Sequence, residues 1–127
     1  MNREIKFRIW ADNKFYNKCL VGNTNNTNDE KWTCPMVWLE KQKEWVHCDN
    51  GIICQYTGLH DKNGKEIYEG DIVKDLEYKI IGKIEYIEYM AGYFLVYGKS
   101  KCISSICEVE VIGNIYEDIE LLGGEYE

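Results

Sequence analysis

Residues 55–73 read QYTGLHDKNGKEIYEGDIV, and the register of their central turn decides how the rest of the chain folds. Asn63-Gly64 invites a two-residue type I′ hairpin, which would set Lys62 opposite Lys65 and Asp61 opposite Glu66. Both pairs carry like charges, and directly opposed like charges destabilise a ladder. A type I turn over Asp61–Gly64, with Gly64 left-handed as a bulge, shifts the register by one residue. Asp61 then faces Lys65 and Leu59 faces Ile67, so the bulged turn is the expectation. Seven residues on, Glu69-Gly70-Asp71 precedes the apolar pair Ile72-Val73. Glycine permits a tight turn there, and a carboxylate at 71 can accept bonds from neighbouring backbone N–H groups. Asp61, Gly64, Lys65, Gly70 and Asp71 are therefore assigned to turns. Tyr56, His60 and Tyr68 remain as candidates for an exposed surface.

C-terminal to this stretch, IIGKIEYIEYMAGYFLVYG contains two β-rich runs separated by Met90-Ala91-Gly92, read as a three-residue hairpin. CEVEVIGNIY alternates, with Val109 and Val111 opposed by Glu108, Glu110 and Ile112. Four or five short strands bounded by Gly or Asn predict a small antiparallel barrel or sandwich. N-terminal to it, REIKFRIW places Ile5, Phe7 and Ile9 on one strand face and Lys6, Arg8 and Trp10 on the other. The step Ala11–Lys14 supplies a turn, and KFYNKCLVG returns as a second strand. Residues 23–31, NTNNTNDEK, hold nothing apolar and read as a mobile loop. Val37, Trp38, Leu39, Trp45 and Val46 favour two strands around EKQKE over a short helix.

The 127 residues suffice for one compact domain or two small subdomains. Ten Tyr, four Trp and three Phe against a single Pro favour strands over disorder, so the fold class is mainly β, with α+β as the alternative. The division expected is an N-terminal β-rich subdomain (1–57), a barrel (58–122) and an acidic tail (123–127). The net charge of −7 is uneven: from Glu108 to the end there are seven acids and no Lys or Arg. An acidic end of this kind opposes non-specific nucleic-acid binding, which needs a basic face. There is no signal-like segment and no long apolar run, so a cytosolic chain without membrane contact is expected, and its six cysteines are expected as thiols serving mainly in packing. Cys48/Cys54 and Cys102/Cys107 lack the close ligand spacing of structural zinc sites, and no metal or cofactor is expected.

The central stretch, the opening IKFRIW with Asp12, GYFLVYG and the late EVEVIGNIYED followed by ELL together resemble the YopX family of phage and prophage proteins. The resemblance spans nearly the whole chain. It implies an irregular N-terminal portion, a C-terminal SH3-like barrel, a host bacterial cytosolic location and a homo-oligomer, and it brings no reaction, cofactor or ligand. The Asn-rich loop and the six cysteines lie outside the family pattern.

The sequence holds no phosphate loop, no GxSxG and no HExxH, and adjacent His47 and Cys48 would point to opposite faces of a strand. No catalytic residues are assigned, and the expectation is a non-enzymatic accessory protein that assembles with itself or binds a host or phage protein. Two alternatives stand beside it. One is binding of single-stranded nucleic acid through the strip Lys6, Arg8 and Trp10. The other is an acidic inhibitor that captures a basic host factor.

Overall fold

The structure, a computed structural model, describes residues 4–21 and 35–123. The loop 23–31, Arg3 and most of the acidic tail lie outside the described residues. Twelve strands and two short 3-10 turns make the described chain mainly β. It divides into two compact units, Ile5–Gln55 and, together with Glu4, the chain from Tyr56 onward, so Tyr56 and Thr57 fall with the second unit.

In the first unit, β1 (Phe7–Ala11) and β2 (Lys14–Tyr16) form a hairpin. Asp12 and Asn13, both at positive φ, make its two-residue turn; Asn and Asp tolerate that conformation better than other non-glycine residues. The expected return strand breaks at Asn17-Lys18. Its continuation β3 (Cys19–Leu20) pairs instead with β4 (Met36–Leu39), and β4 pairs with β5 (Glu44–His47). The two strands expected around EKQKE are thus present, with Trp38 opposite Trp45 and their rings edge to face at 5.4 Å. β1 also pairs with residues 52–55 of β6 (Ile52–His60). Ile9, Ala11 and Val37 are the buried centre, with Tyr16, Leu39, Val46 and Ile53 packed on them. Ile5 precedes β1 and is 72% exposed, so the apolar alternation starts at Phe7 and not at Ile5.

In the second unit, residues 56–60 of β6 pair with β7 (Glu66–Tyr68). The rest is a five-stranded antiparallel sheet: β8 (Asp71–Asp75), β9 (Ile81–Ile87), β10 (Gly92–Tyr97) and β11 (Cys102–Ser104) meander, and β12 (Val109–Asn114) returns to pair with β8. This order, the last strand beside the first, is consistent with the expected SH3-like barrel. Among the described residues no ladder joins β11 to β12, which leaves a half-barrel. Alternation on β8, β9, β10 and β12 turns Val73, Ile84, Leu95 and Val109 inward, and Ile67 of β7 completes the core. The β9–β10 connection is longer than a three-residue loop: Ile87 pairs with Gly92, and a 3-10 turn over Glu88–Met90 leads into Ala91 at φ 52°.

Candidate functional site

The polar residues of the 55–73 stretch are consumed by backbone. Asp61 N–H bonds to the Lys65 carbonyl at 2.8 Å, Gly64 N–H to the Asp61 carbonyl at 3.0 Å, and Gly64 has φ +83°, as a bulged type I turn requires. The Asp61 side chain does more than the cross-strand pairing with Lys65 expected of it. Its Oδ1 accepts from Asn63 N–H (2.8 Å) and Lys65 N–H (2.9 Å), and its Oδ2 accepts from Val111 N–H on β12 (3.0 Å). Burial pushes the Asp61 carboxyl up, but the three N–H donors, with the Lys65 charge, outweigh it and hold the group below the usual carboxylate range. Lys62 N–H bonds to the Val109 carbonyl, and the Lys62 ammonium lies 3.9 Å from Glu110. The turn therefore covers the outer edge of β12.

The same device recurs at other strand ends. Asp71 Oδ2 accepts from Tyr68 N–H at 2.8 Å, which satisfies the expectation for Asp71 and closes the turn at Gly70. Asp75 Oδ1 accepts from Glu77 and Tyr78 N–H, and Asn114 Oδ1 from Tyr116 and Glu117 N–H. All four side chains are buried. An Asp or Asn carbonyl oxygen that closes a turn in this way satisfies donors that would otherwise be orphaned inside the fold.

The expected pairing of Leu59 with Ile67 gives way to a bulge between Tyr56 and His60. Thr57 explains it: its Oγ1 donates to the Ile67 carbonyl at 2.8 Å and accepts from Leu59 N–H at 3.1 Å, leaving Leu59 exposed. Of the three residues left for a surface, Tyr56 and Tyr68 are buried and only His60 is exposed. The Tyr56 hydroxyl lies 3.3 Å from His60 Nδ1 and 3.4 Å from Nε2, the Tyr56 and Tyr68 rings are 5.5 Å apart, and Tyr68 donates to Glu66 at 3.1 Å. This is a packed polar cluster with one open member.

The basic strip on β1 is likewise more packed than alternation predicts. Arg8 is 8% exposed, its guanidinium lying 3.8 Å above the Phe15 ring, while Trp10 meets Phe15 edge to face at 4.8 Å. A planar guanidinium is weakly hydrated enough to stack in this way. Lys6 is half-buried and precedes the strand. Of the five described cysteines, all free thiols, Cys54 is buried and Cys19 and Cys48 are half-buried, in keeping with a mainly packing role, whereas Cys102, on the edge strand β11, and Cys107 are exposed; Cys34 lies outside the described residues. Burial raises the Cys19 thiol; burial, then Asp12 and Asp49, raise Cys48.

Two surfaces not foreseen in the sequence emerge. The first is a half-open groove of about 430 Å³ in the first unit, walled by Lys14, Phe15 and Tyr16 of β2 and by residues 38–42 at the β4–β5 turn. Lys14 lies over Tyr16 (4.6 Å) and Lys18 over Trp38 (4.1 Å). Glu40 accepts from Lys43 Nζ at 2.6 Å and from Trp38 Nε1 at 2.5 Å; these two bonds, with the Lys18 charge, lower its carboxyl. The second is the β9–β10 tip, where Tyr86, Tyr89 and Met90 are exposed beside Glu85 and Glu88, and Tyr86 meets Tyr93 at 5.1 Å. Charge follows the two units. Residues 5–55 hold 7 Lys or Arg against 6 Asp or Glu, while residues 56–127 hold 7 against 15.

Fold and surfaces together define a small, mainly β protein of two units with buried Asp and Asn struts at its turns. The chain belongs to the YopX family: the family model described as YopX protein matches residues 6–123. It is similar in structure to protein EF1440 from Enterococcus faecalis, a crystal structure, with a TM-score of 0.63 and 22% identity over 95% of this chain and 99% of that one. That likeness concerns the fold. A comparison with curated proteins finds no match. Among the described residues no helix is long and apolar enough to cross a membrane.

Proposed function

We propose that this protein is a non-catalytic phage or prophage accessory protein of the host cytosol whose second unit binds a protein partner with a basic face. The observation that carries this reading is the β9–β10 tip, which holds aromatic side chains out of the core, Tyr89 at 83% exposure, next in the chain to the exposed Glu88. Exposed aromatics rimmed by charge are the composition of a protein contact, and the excess of acid in residues 56–127 favours a cationic partner. The non-catalytic part of the reading is supported by Asp61, Asp71 and Asp75, whose carboxylates are spent on backbone donors. Self-assembly is a second route, favoured by the short strand β11, an edge among the described residues with Ile103 exposed, since an unpaired edge can add a strand.

Capture from host lysate on the immobilised chain, repeated with a Glu88→Lys/Tyr89→Ala variant, tests the reading. A partner retained by the native chain and lost by the variant supports it; retention by both moves the contact away from the tip. Light scattering after size exclusion reads the second route. A monomer at high concentration excludes self-assembly.

A further inference from the structure

We infer that the groove between β2 and the β4–β5 turn binds single-stranded nucleic acid, with phosphates on Lys14 and Lys41 and bases against Tyr16 and Trp38. This site is separate from the tip of the second unit and does not depend on it.

Four observations converge. The groove, at about 430 Å³, falls within the range of small-molecule sites and can take a nucleotide unit while staying half open, as a continuous strand requires. Its wall combines Tyr16 and Trp38 with the lysines that lie over their rings, Lys14 and Lys18, and such aromatic and cationic surfaces bind single strands by stacking and charge without reading sequence once the flexible lysines move from ring to phosphate. Its one acid, Glu40, is occupied by Lys43 and the Trp38 indole N–H, whereas Lys14 and Lys41 have no carboxylate partner among the described residues. Lys41 is left to meet an external anion, and Lys14, 4.6 Å over the Tyr16 ring, carries a charge that no carboxylate neutralises among the described residues. The surrounding unit, finally, carries 7 basic against 6 acidic residues, so the repulsion expected from the chain's net charge of −7 is concentrated in residues 56–127. An acidic peptide would use the lysines but leave the aromatic wall idle, and a neutral sugar would use the wall but leave the lysines unpaired.

The test is fluorescence anisotropy of a labelled oligothymidine of about 12 nucleotides, a length within the usual single-strand site size, on the full chain from about 50 to about 200 mM salt. An oligouridine, a mononucleotide and a poly-glutamate peptide are competitors. Binding should weaken with salt, both oligonucleotides should compete, and the peptide should not. The Lys14→Ala/Lys41→Ala variant should bind roughly tenfold more weakly. Its slope of log affinity against log salt should shrink by about 1.4, two phosphates at about 0.7 each. A Lys99→Ala/Lys101→Ala variant, with both changes on exposed positions of the second unit, should bind as the native chain does. Circular dichroism confirms that each variant folds. The proposal is overturned by absence of oligonucleotide binding, by equal loss in both double variants, or by displacement with poly-glutamate.

Discussion

At the scale of single residues, Asp61 is the side chain on which most depends, because one carboxylate closes its own turn and also ties that turn to β12. Asp61→Ala strands three backbone donors, one of them on another strand. Losses of this kind cost about 1–3 kcal/mol, read as a lower urea midpoint with unchanged slope. The pH dependence follows in sign. The folded carboxyl lies below its unfolded value of about 3.9, so its contribution is complete above that pH and is lost as pH falls through the lower folded value. Asp61→Asn, which cannot titrate, should therefore be less stable at neutral pH and show a shallower acid limb. Gly64 and Gly70 separate strain from space. Both have positive φ, but a Cβ at Gly64 meets nothing within 4 Å, whereas one at Gly70 lies 3.2 Å from the Tyr116 ring. Gly64→Ala should cost about 1–2 kcal/mol from backbone strain alone, and Gly70→Ala more, which paired thermal melts would show as a larger drop in Tm.

Among the elements, the hairpins divide by how far local chemistry determines them. Asp12-Asn13 and Asp61–Gly64 were legible because their residues suit the turn and like-charge pairs excluded the competing register. The β9–β10 connection was misread because Gly92 looks like a turn glycine; the left-handed position falls instead on Ala91, where no sequence signal marks it. Ala91 carries strain that glycine would not, about 1–2 kcal/mol, less about 0.5–1 kcal/mol for glycine's greater unfolded entropy. Ala91→Gly should thus stabilise the protein by up to about 1.5 kcal/mol, seen as a higher Tm, and a lower Tm would show that the 3-10 turn depends on alanine there. Alternation failed on β1 for a related reason. Period-two patterning assigns faces but says nothing of what packs on them, and Phe15 arriving from β2 turns the polar face bearing Arg8 into a packed layer. The break after Tyr16, which gives β3 to β4, follows from tertiary pairing that no local pattern records.

For the whole molecule, the mainly β class and the family were readable from the 55–73 stretch and the segments that accompany it, whereas the return of the last strand to β8 was not. The surfaces were not, since the groove is assembled from residues 14–16 and 38–42 and the charge division appears only once the units are known. That division yields a prediction neither surface makes alone. If the acidic tip takes a basic protein and the first-unit groove takes a nucleic-acid strand, the two functions lie on surfaces of different charge and should fail separately. Salt cannot distinguish them, because screening weakens both. Substitution can: Glu88→Lys/Tyr89→Ala should abolish partner capture while strand affinity stays within about twofold of native, a difference well below the 1.4 kcal/mol that a tenfold change represents. Lys14→Ala/Lys41→Ala should do the reverse. A tip variant that instead strengthened strand binding tenfold would show that acid in residues 56–127 repels the strand directly, and the two surfaces would then have to be treated as one electrostatic field.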